Sequence, residues 1–445
     1  TKKNGNNFIS NAIKNGARTI ISDQNYQGIK DNVLYLKSKN IRKLLSYASS
    51  IFYKKKPNNI IGVTGTNGKS SIANFYFQIL KQNNIKVASI GTLGIRELSS
   101  NKKIGNTTLD PVHLHKILEN LKIKKIDNVI LEASSHGLKQ SRLDFLNFNT
   151  AIFTNLTRDH LDYHKTYKDY LNSKLILFKN LLKKKSNIIY DNELFTSKVL
   201  KKICLNKKLK SITIGNKNSD LKVIKHEYFG SSQKVDLLYK KNKYTFTVNL
   251  IGKIQIKNIL MSCLAAETNG IRFSKVINSI NYIQPVDGRL EKVSDIKNNS
   301  KVILDFAHTP DALKTALENI RDQFKLNKIN IVFGCGGDRD KQKRPIMGKI
   351  ANTYCDKVYL TDDNPRKENP KKIRDQIKKT INKNKIIEVS SRKKAISKAI
   401  EDLNSGDILL VAGKGHETYQ EYATKRNKFS DRKIIIKEIK KKIKD

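Results

Sequence analysis

A glycine-rich loop between a short apolar run and a helical segment constrains this chain more than any other feature. Residues 62–71 read GVTGTNGKSS. The apolar run at 60–63 predicts a buried strand before the loop, and residues 70–82 predict a helix after it. Glycines let backbone N–H groups approach an anion closely, and the helix N-terminus adds its unpaired donors. This arrangement is typical of loops that cradle the phosphates of a nucleotide.

The loop supplies a first set of candidate residues. We expect Lys69 to bridge the phosphates and Ser70 to offer an oxygen to Mg²⁺. Val63 stands where the common phosphate-loop pattern has its first glycine, so a chance Gly-Lys-Ser in a loop is the alternative. The predicted ATP-binding residues of the loop are Gly65, Thr66, Asn67, Gly68, Lys69, Ser70 and Ser71.

The charge of the chain is strongly positive. Its 87 Lys and Arg residues against 40 Asp and Glu residues give a formal net charge of +47. Such a balance can indicate a nucleic-acid partner. However, lysine is accompanied by heavy Asn and Ile usage throughout, and the basic residues are dispersed. We therefore expect no specific nucleic-acid partner, but a general attraction for anionic substrates.

Cysteine usage and hydropathy bear on the compartment. The four cysteines form no CxxC pair and no metal-type spacing, which predicts free thiols in a reducing compartment. No apolar run approaches the roughly 18 residues of a membrane span, and no signal peptide is visible. These features predict a cytoplasmic protein without membrane insertion. Because the chain begins at Thr1, we interpret its N-terminus as incomplete.

The remaining sequence alternates short apolar runs with helical patterns. A helix is predicted at 8–15 and a strand at 18–22. Further strands are predicted at 60–64, 87–90, 128–132 and 150–154, followed by a helix over 167–182 and a β-rich stretch over 186–250. After a turn at 285–288, strands are predicted at 302–306, 329–333, 357–360 and 408–411. Such alternation predicts parallel sheets and an α/β fold divided at 1–54, 55–287 and 288–445.

Polar residues follow two of the predicted strands. Glu132 ends one strand, where a carboxylate beside a phosphate loop is well placed to hold Mg²⁺; an exposed strand-end glutamate is the alternative. The next strand opens into 154–164, which carries Asp159, His160, Asp162 and His164. Since the chain has only eight histidines, this concentration indicates a functional segment.

Ordered motifs along the chain resemble those of the Mur ligases of peptidoglycan synthesis. Residues 65–71, 131–136 and 154–164 match, and the match runs from about residue 5 to about residue 432. The other matching segments are NTT at 106–108, QSR at 140–142, SK at 173–174, DGR at 287–289, DFAHTPDA at 305–312, GCGGDRD at 334–340, DNPR at 363–366 and GKGHE at 413–417. The last three resemble the member that adds diaminopimelate.

The resemblance implies a fold and a reaction. It implies three domains: a truncated N-terminal domain, a central phosphate-loop ATPase domain with a parallel sheet, and a C-terminal Rossmann-like domain that binds the amino acid. In this family ATP phosphorylates a substrate carboxylate, and the amine of an incoming amino acid attacks the acyl phosphate. The implied substrates are UDP-N-acetylmuramoyl-L-alanyl-D-glutamate, meso-diaminopimelate and ATP, with Mg²⁺ as cofactor and a monomer as the expected state.

The resemblance also assigns roles to residues. Lys69, Glu132, His160 and Lys174 are implied to be catalytic, and the metal ligands are Ser70, Glu132, His160 and Lys174 as a carbamate. From composition alone, Lys174 is an exposed surface lysine. The further implied contacts to ATP are Asn258, Arg289, Asp305 and His308. Those to the UDP-muramoyl-dipeptide are Asn106, Thr107, Thr108, Ser134, Gln140 and Arg142.

The C-terminal motifs are implied to select the amino acid. The residues concerned are Arg339, Asp363, Asn364, Pro365, Arg366, Gly413 and Glu417. Diaminopimelate has a distal carboxylate that lysine lacks, and the guanidinium groups of Arg366 and Arg339 suit its two oxygens. Glu417 and the carbonyl of Gly413 suit the distal ammonium. Lysine would leave buried guanidinium groups unpaired.

The family's usual N-terminal segment, with a Ser-Arg loop that contacts the uracil and diphosphate, is not matched, and about 40 residues are missing relative to the usual domain. A non-catalytic fragment is therefore a further alternative to an active ligase. The nearest alternatives in the superfamily are a lysine-adding enzyme and a folylpolyglutamate synthetase, and the DNPR motif argues against both. An alternative from another class is a basic nucleic-acid-binding NTPase.

Overall fold

The computed structural model describes residues 4–296 and 299–444; the side chains of residues 161, 162, 443 and 444 lie outside this description, and with them that of the predicted Asp162. The N-terminal segment is a small three-stranded sheet with a helix on either side in sequence. Its elements are α1 (Ile9–Lys14), β1 (Thr19–Ser22), β2 (Gly28–Lys30), β3 (Val33–Lys37) and α2 (Ile41–Phe52). The helix predicted at 8–15 is therefore preceded by a 3₁₀ turn, Gly5–Phe8, rather than starting at residue 8.

The central part is built on one eleven-stranded sheet. Its strands are β4 (Asn59–Thr64), β5 (Val87–Gly91), β6 (Gly94–Arg96), β7 (Asn101–Lys102), β8 (Asn128–Glu132), β9 (Phe148–Phe153), β10 (Leu182–Asp191), β11 (Lys210–Gly215), β12 (Leu221–Phe229), β13 (Ser232–Tyr239) and β14 (Asn242–Val248). Its helices are α3 (Lys69–Gln82), α4 (Pro111–Ile123), α5 (Ser135–Lys139), α6 (Leu161–His164), α7 (Tyr167–Asn180), α8 (Ser197–Lys207), α9 (Lys253–Glu267) and α10 (Phe273–Ile280).

The order of the central strands places the phosphate loop in the middle of the sheet. The order is β14-β13-β12-β11-β10-β9-β4-β8-β5-β6-β7, and β4 is parallel to both β8 and β9. Because parallel strands end at the same edge of a sheet, the residues that follow β4, β8 and β9 meet there. Apolar side chains of α3 and α9 form a core on one face of the sheet, and those of α4 and α7 form a core on the other.

The C-terminal part is a six-stranded sheet with an added two-stranded ribbon. The strands are β15 (Glu291–Asp295), β16 (Lys301–Asp305), β17 (Ile329–Phe333), β18 (Lys357–Leu360), β19 (Ile386–Glu388), β20 (Ile408–Ala412), β21 (Tyr419–Tyr422) and β22 (Lys425–Lys428). The helices are α11 (Pro310–Gln323), α12 (Lys343–Tyr354), α13 (Pro370–Lys378), α14 (Arg392–Glu401) and α15 (Asp431–Lys444). The sheet order is β15-β16-β20-β17-β18-β19, with every pair parallel except β15 and β16.

The α/β class with parallel sheets is confirmed, and the stretch 186–250 is β-rich as predicted, with strands β10 to β14. The helix predicted over 167–182 ends at Asn180, because Leu182 already begins β10 and pairs with Phe148 of β9. The stretch 186–250, predicted to be β-rich, also contains helix α8. In that helix Leu200 and Ile203 are buried at helical spacing, which a reading for strand alternation overlooks.

Candidate active site

The phosphate loop adopts a conformation that only its glycines allow. Gly65 has a φ of 146°, and a Cβ there would lie 1.8 Å from Oγ1 of Thr154. Gly68 caps α3 with a φ of 88°, and a Cβ there would lie 2.7 Å from Oδ1 of Asn258. Thr154 and Asn258 belong to β9's exit loop and to α9, so two other parts of the domain press directly on the loop. The first backbone N–H groups of a helix have no partner within the helix, so those at the start of α3 can donate to an anion held by the loop.

Lys69 folds back over the loop. Its Nζ donates to the carbonyls of Gly65 and Thr66 at 2.8 and 2.7 Å. Burial lowers the pKa of Lys69, partly offset by the negative charges of Glu132 and Asp159. An anion beside the ammonium group would stabilise its charged form.

Glu132 and Ser70 form a preorganised pair of oxygen donors. Oγ of Ser70 donates to Oε2 of Glu132 at 3.0 Å, at the point where β8 ends beside the start of α3. The backbone N–H of Thr92 donates to Oε1 of Glu132 at 2.8 Å, and its hydroxyl donates to Oε2 at 3.1 Å. A Cβ on Gly91 would lie 2.2 Å from Oε1, so this glycine is needed for the carboxylate to occupy its place.

Lys174 is a buried lysine, not a surface one. Its side chain on α7 is 1 % exposed, and Nζ donates to the carbonyl of Gly65 at 2.7 Å. The ammonium group lies 4.3 Å above the ring of Tyr170, one helical turn earlier. Burial, together with the cation of Lys69, holds the pKa of Lys174 well below its ordinary value, and Asp159 offsets only part of this effect. Lys174 is therefore close to the phosphate loop and easily deprotonated.

His160 and Asp159 lie on the loop after β9. The backbone N–H of His160 donates to Oδ1 of Asp159 at 2.8 Å, and the His160 ring lies 3.4 Å from Oδ2. Burial lowers the pKa of His160 although Asp159 opposes the change, so the imidazole is neutral near pH 7. Burial acts to raise the pKa of Asp159, but His160, His308, the backbone hydrogen bond from His160 and the cation of Lys69 together outweigh it, and the pKa is lowered. The pair thus presents a carboxylate and a neutral imidazole.

One cavity of about 340 Å³ joins these groups to the C-terminal part. Its wall includes Asn258, Arg289, Asp305 and His308 as well as the phosphate loop, Glu132 and Lys174. The guanidinium of Arg289 lies 4.6 Å above the ring of Phe306, and Nη2 is 3.5 Å from Oγ of Ser70. Oδ1 and Oδ2 of Asp305 accept from the backbone N–H groups of Ala307 and Leu290 at 2.7 and 2.6 Å. Asp305 thereby fixes the loops that line this side of the cavity.

A second group of predicted residues is joined by hydrogen bonds at the same sheet edge. Oγ1 of Thr108 donates to the carbonyl of Glu132 at 2.8 Å and is 3.0 Å from Oγ of Ser134. Arg142 donates to the carbonyl of Thr108 at 2.7 Å and, through Nε and Nη2, to Oε1 of Gln140. Thr107 contacts the Thr92 hydroxyl at 3.0 Å. Asn106 is exposed on the adjoining loop.

The predicted amino-acid-binding motifs meet at the carboxyl edge of the C-terminal sheet. The loops after β17, β18 and β20 are neighbours in the strand order, so residues 334–340, 363–366 and 413–417 come together. Nδ2 of Asn364 donates to Oε2 of Glu417 at 3.2 Å. Gly413 has a φ of 110°, and a Cβ there would lie 2.8 Å from Oδ2 of Asp363.

Two arginines of this group differ in their surroundings. Arg366 donates from Nη1 to the carbonyl of Gly337 at 2.8 Å and from Nε to Oε2 of Glu421 at 3.2 Å. Pro365 precedes it and is buried in the same loop. Arg339 is exposed, and its recorded hydrogen bond, among the described residues, is to the carbonyl of Asp338. The structure thus joins Arg366, but not Arg339, to the network of Asn364 and Glu417.

Three residues of the site, Thr92, Tyr170 and Glu421, were not among the predicted ones, and Asp159 was predicted only as part of the functional segment 154–164. Asp159 and Tyr170 line the cavity, and Thr92 holds Glu132. Tyr170 lies four residues before Lys174, so helical spacing gave a signal for it. The sequence contained no signal for Thr92 or Glu421. Thr92 meets Glu132 because β5 lies beside β8 in the sheet, and Glu421 meets Arg366 because it lies on the β21–β22 ribbon.

The donor set fits a divalent cation that prefers oxygen ligands. In the described part of the chain no three His, Cys, Asp or Glu side chains are grouped as a metal site. The predicted ligands instead combine the hydroxyl of Ser70, the carboxylate of Glu132 and the neutral imidazole of His160, all on one cavity wall. A carbamate on Lys174 would add two further oxygens. Such a set suits Mg²⁺.

The fold and the site are those of a nucleotide-using enzyme, and comparisons with known proteins identify the family. Residues 63–266 match the Mur ligase middle domain, and residues 288–415 match the Mur ligase, glutamate ligase domain. The chain belongs to the Mur ligase family, which confirms the resemblance found in the sequence.

The similar proteins include both sequences and structures. The chain is 39% identical to the UDP-N-acetylmuramoyl-L-alanyl-D-glutamate--2,6-diaminopimelate ligase of Rickettsia montanensis, over 98% of this chain and 91% of the relative. It is 37% identical to the ligase of the same name from Clostridium tetani, over 97% and 88%. A solved structure of a UDP-N-acetylmuramoyl-L-alanyl-D-glutamate--2,6-diaminopimelate ligase aligns with a TM-score of 0.70 and 30% identity, covering 98% of this chain and 89% of that one. No helix in the part of the chain described is both long and apolar enough to cross a bilayer.

Proposed function

We propose that this protein is an ATP-dependent ligase that adds meso-2,6-diaminopimelate to UDP-N-acetylmuramoyl-L-alanyl-D-glutamate in the cytoplasmic synthesis of peptidoglycan precursors. The observation that carries the proposal is the single cavity in which the phosphate loop, Glu132 and the buried Lys174 face residues of the C-terminal part. Family membership and the names of relatives that match over most of their length support the same activity.

The first step is transfer of a phosphoryl group to the substrate carboxylate, and here the residues position and neutralise charge. The backbone N–H groups after Gly68 and the ammonium of Lys69 would hold the phosphates. Ser70, Glu132, His160 and the carbamate of Lys174 would hold Mg²⁺, which when bound offsets the negative charge of the phosphates. Arg289 and His308 would contact the nucleotide from the C-terminal side of the cavity.

The second step is attack of an amine on the acyl phosphate, and here the geometry of the C-terminal motifs matters. A neutral amine is the nucleophile, so the substrate's ammonium must lose a proton before it attacks. Arg366 would bind the distal carboxylate and Glu417 the distal ammonium, holding the other amine towards the cavity. Thr107, Thr108, Ser134, Gln140 and Arg142 would hold the UDP-muramoyl-dipeptide, with the carboxylate of its glutamate near Lys69.

We also propose the division into domains at 1–54, 55–287 and 288–445. The separate sheets support these boundaries, because β1–β3, β4–β14 and β15–β20 each pair among themselves. Two hydrophobic cores lie on the central sheet and two on the C-terminal one, with Ile251 of the central segment packed into one of the C-terminal cores.

The test is phosphate release with ATP, Mg²⁺ and UDP-muramoyl-dipeptide, scored against a panel of amino acids. We expect release with meso-diaminopimelate and at least about tenfold less with lysine or glutamate. A preference for lysine would favour the lysine-adding alternative, and folate-dependent release with glutamate would favour the folylpolyglutamate synthetase. ATP hydrolysis stimulated several-fold by DNA at about 0.15 M salt would favour the nucleic-acid-binding alternative.

A further inference from the structure

Three charged side chains at the predicted amino-acid site, those of Asp363, Arg366 and Glu417, already lie near groups of opposite charge within the protein. Glu417 pairs with Lys414 at 2.9 Å, and Arg366 pairs with Glu421 at 3.2 Å. Asp363 lies 3.9 Å from Arg392, which is itself paired with Asp431. The site therefore presents internally balanced pairs rather than isolated charges.

Lys414 is as deeply buried as Arg392 and Asp431, and more deeply than the other members of these pairs. Its side chain is 0 % exposed, whereas that of Glu417 is 20 % exposed. Its Nζ donates to Oε2 of Glu417 at 2.9 Å and to Oδ1 of Asn364 at 3.0 Å, and it lies 5.5 Å above the ring of Tyr419. A buried ammonium with two oxygen acceptors is held in one place, unlike the many exposed lysines of this chain.

The contacts of Lys414 determine how its two partners face a ligand. Oδ1 of Asn364 accepts from Lys414 and from the backbone N–H of Glu421 at 2.9 Å, so its amide Nδ2 is directed to Oε2 of Glu417. Nζ of Lys414 and Nδ2 of Asn364 therefore both donate to Oε2 of Glu417. Among the described residues, Oε1 of Glu417 accepts no recorded hydrogen bond, and it is the oxygen left for a ligand.

We propose that Lys414 is a positioning residue that determines specificity, because it orients Asn364 and Glu417 and balances the charge of Glu417. The inference rests on the proposed function and names a selection rule for its amino-acid site. With Lys414 in place, a ligand that brings only an ammonium group meets an already neutralised carboxylate and gains little. A ligand head that carries both an ammonium and a carboxylate pairs with Glu417 and Arg366 at once.

Substitutions of Lys414 and of Glu417 are predicted to change amino-acid selection in opposite directions. Lys414→Met leaves Glu417 without its internal partner, so lysine should be accepted better and diaminopimelate worse. We expect the ratio of kcat/KM for meso-diaminopimelate over lysine to fall at least about tenfold. Glu417→Gln leaves the Lys414 cation unbalanced, which repels the ammonium of lysine but also attracts the carboxylate of diaminopimelate. Both substrates should bind more weakly, but lysine more so, because only diaminopimelate has the attracted carboxylate. The ratio of kcat/KM for meso-diaminopimelate over lysine should therefore rise.

The experiment measures both ratios by phosphate release with the full chain, together with the KM for ATP. Lys398→Met is the matched control, since Lys398 is a half-exposed lysine of the same domain 3.6 Å from Asp402 and should leave the ratio unchanged. A KM for ATP close to that of the unsubstituted protein shows that a variant is folded. If Lys414→Met does not fold, Lys414→Gln tests the same loss of charge, and the direction of change in Glu417→Gln tests the balance without altering Lys414.

Each outcome decides one question. Ratios that move in opposite directions in the two variants support the proposal. Ratios that stay within about twofold of the unsubstituted protein, or fall together, overturn it, because loss of local structure lowers both. If the unsubstituted protein does not use diaminopimelate at all, the proposed function fails independently of Lys414.

Discussion

At the scale of single residues, Lys174 shows how far surroundings change a side chain. Composition predicted an exposed cation, whereas the residue is buried beside the phosphate loop with a pKa well below its usual value. We predict that Lys174→Ala reduces ligation by at least about a thousandfold while ATP still binds, because the anion that a carbamate would supply beside the metal is lost. Phosphate release and nucleotide titration measure the two effects.

Rescue experiments separate a carbamate from other roles of Lys174. A short carboxylic acid added to Lys174→Ala should restore part of the activity, and removal of CO₂ and bicarbonate should slow the unsubstituted protein. Lys168→Ala, on the exposed part of the same helix, is the control and should behave like the unsubstituted protein. Full activity of Lys174→Ala would mean that the lysine has no part in the reaction.

Arg366 is the second residue whose role can be isolated. We predict that Arg366→Ala raises the KM for meso-diaminopimelate at least about tenfold, since a charge-assisted pair worth about 2 kcal/mol is lost. The KM for ATP should change little, because Arg366 does not line the nucleotide cavity. Arg426→Ala is the matched control: its exposed guanidinium approaches the same Glu421, at 3.7 Å, from the other side. Equal effects of the two substitutions would argue against a specific role for Arg366.

At the scale of elements, the sequence was most informative where a strand ends in a polar motif. The apolar runs predicted β8 and β17 to the residue; Glu132 and Asp305 are the last residues of β8 and β16, and residues 363–366 come shortly after β18. Strand order was not available from the sequence, because pairing between distant strands is set by packing of the whole sheet. For that reason Thr92, which reaches Glu132 from the next strand along, was not predicted.

The buried pair of Arg392 and Asp431 joins two C-terminal elements. Arg392 at the start of α14 donates from Nε and Nη2 to both carboxylate oxygens of Asp431 at the start of α15, at 2.8 and 2.7 Å. Both side chains are fully buried, so removing the Asp431 charge leaves the buried Arg392 with Asp363 at 3.9 Å in place of a bidentate partner. We predict that Asp431→Asn lowers the free energy of unfolding by about 3 kcal/mol, measured by urea denaturation.

A surface pair on the same helix provides the comparison for Asp431. Lys441 lies 3.1 Å from Glu438, one turn away, and is exposed. Lys441→Gln should change the free energy of unfolding by less than about 0.5 kcal/mol, because the Lys441 ammonium is exposed and ion pairs open to water contribute little. If Asp431→Asn were no more destabilising than Lys441→Gln, the Arg392 pair would not be what holds α15 in place.

At the scale of the whole molecule, two buried histidines link folding to pH. Burial lowers the pKa of His115 on α4 to about 4, and burial likewise lowers the pKa of His164 to about 4 although Asp169 opposes it. In the unfolded chain both have a pKa near 6.5. Between these values the unfolded state takes up protons that the folded state does not. Stability is therefore complete above about pH 6.5 and is lost as the pH falls towards 4.

We predict that the free energy of unfolding is level from about pH 8 to 7 and falls by about 2 kcal/mol per buried histidine by about pH 4.5. Urea denaturation across this range measures the fall. His115→Phe should remove one histidine's share of the slope, because phenylalanine fills the same buried place without titrating. His113→Gln, two residues earlier on α4, is the matched control, because the His113 side chain is 72 % exposed beside Asp110. If the two variants had equal slopes, burial of His115 would not be the source of the pH dependence.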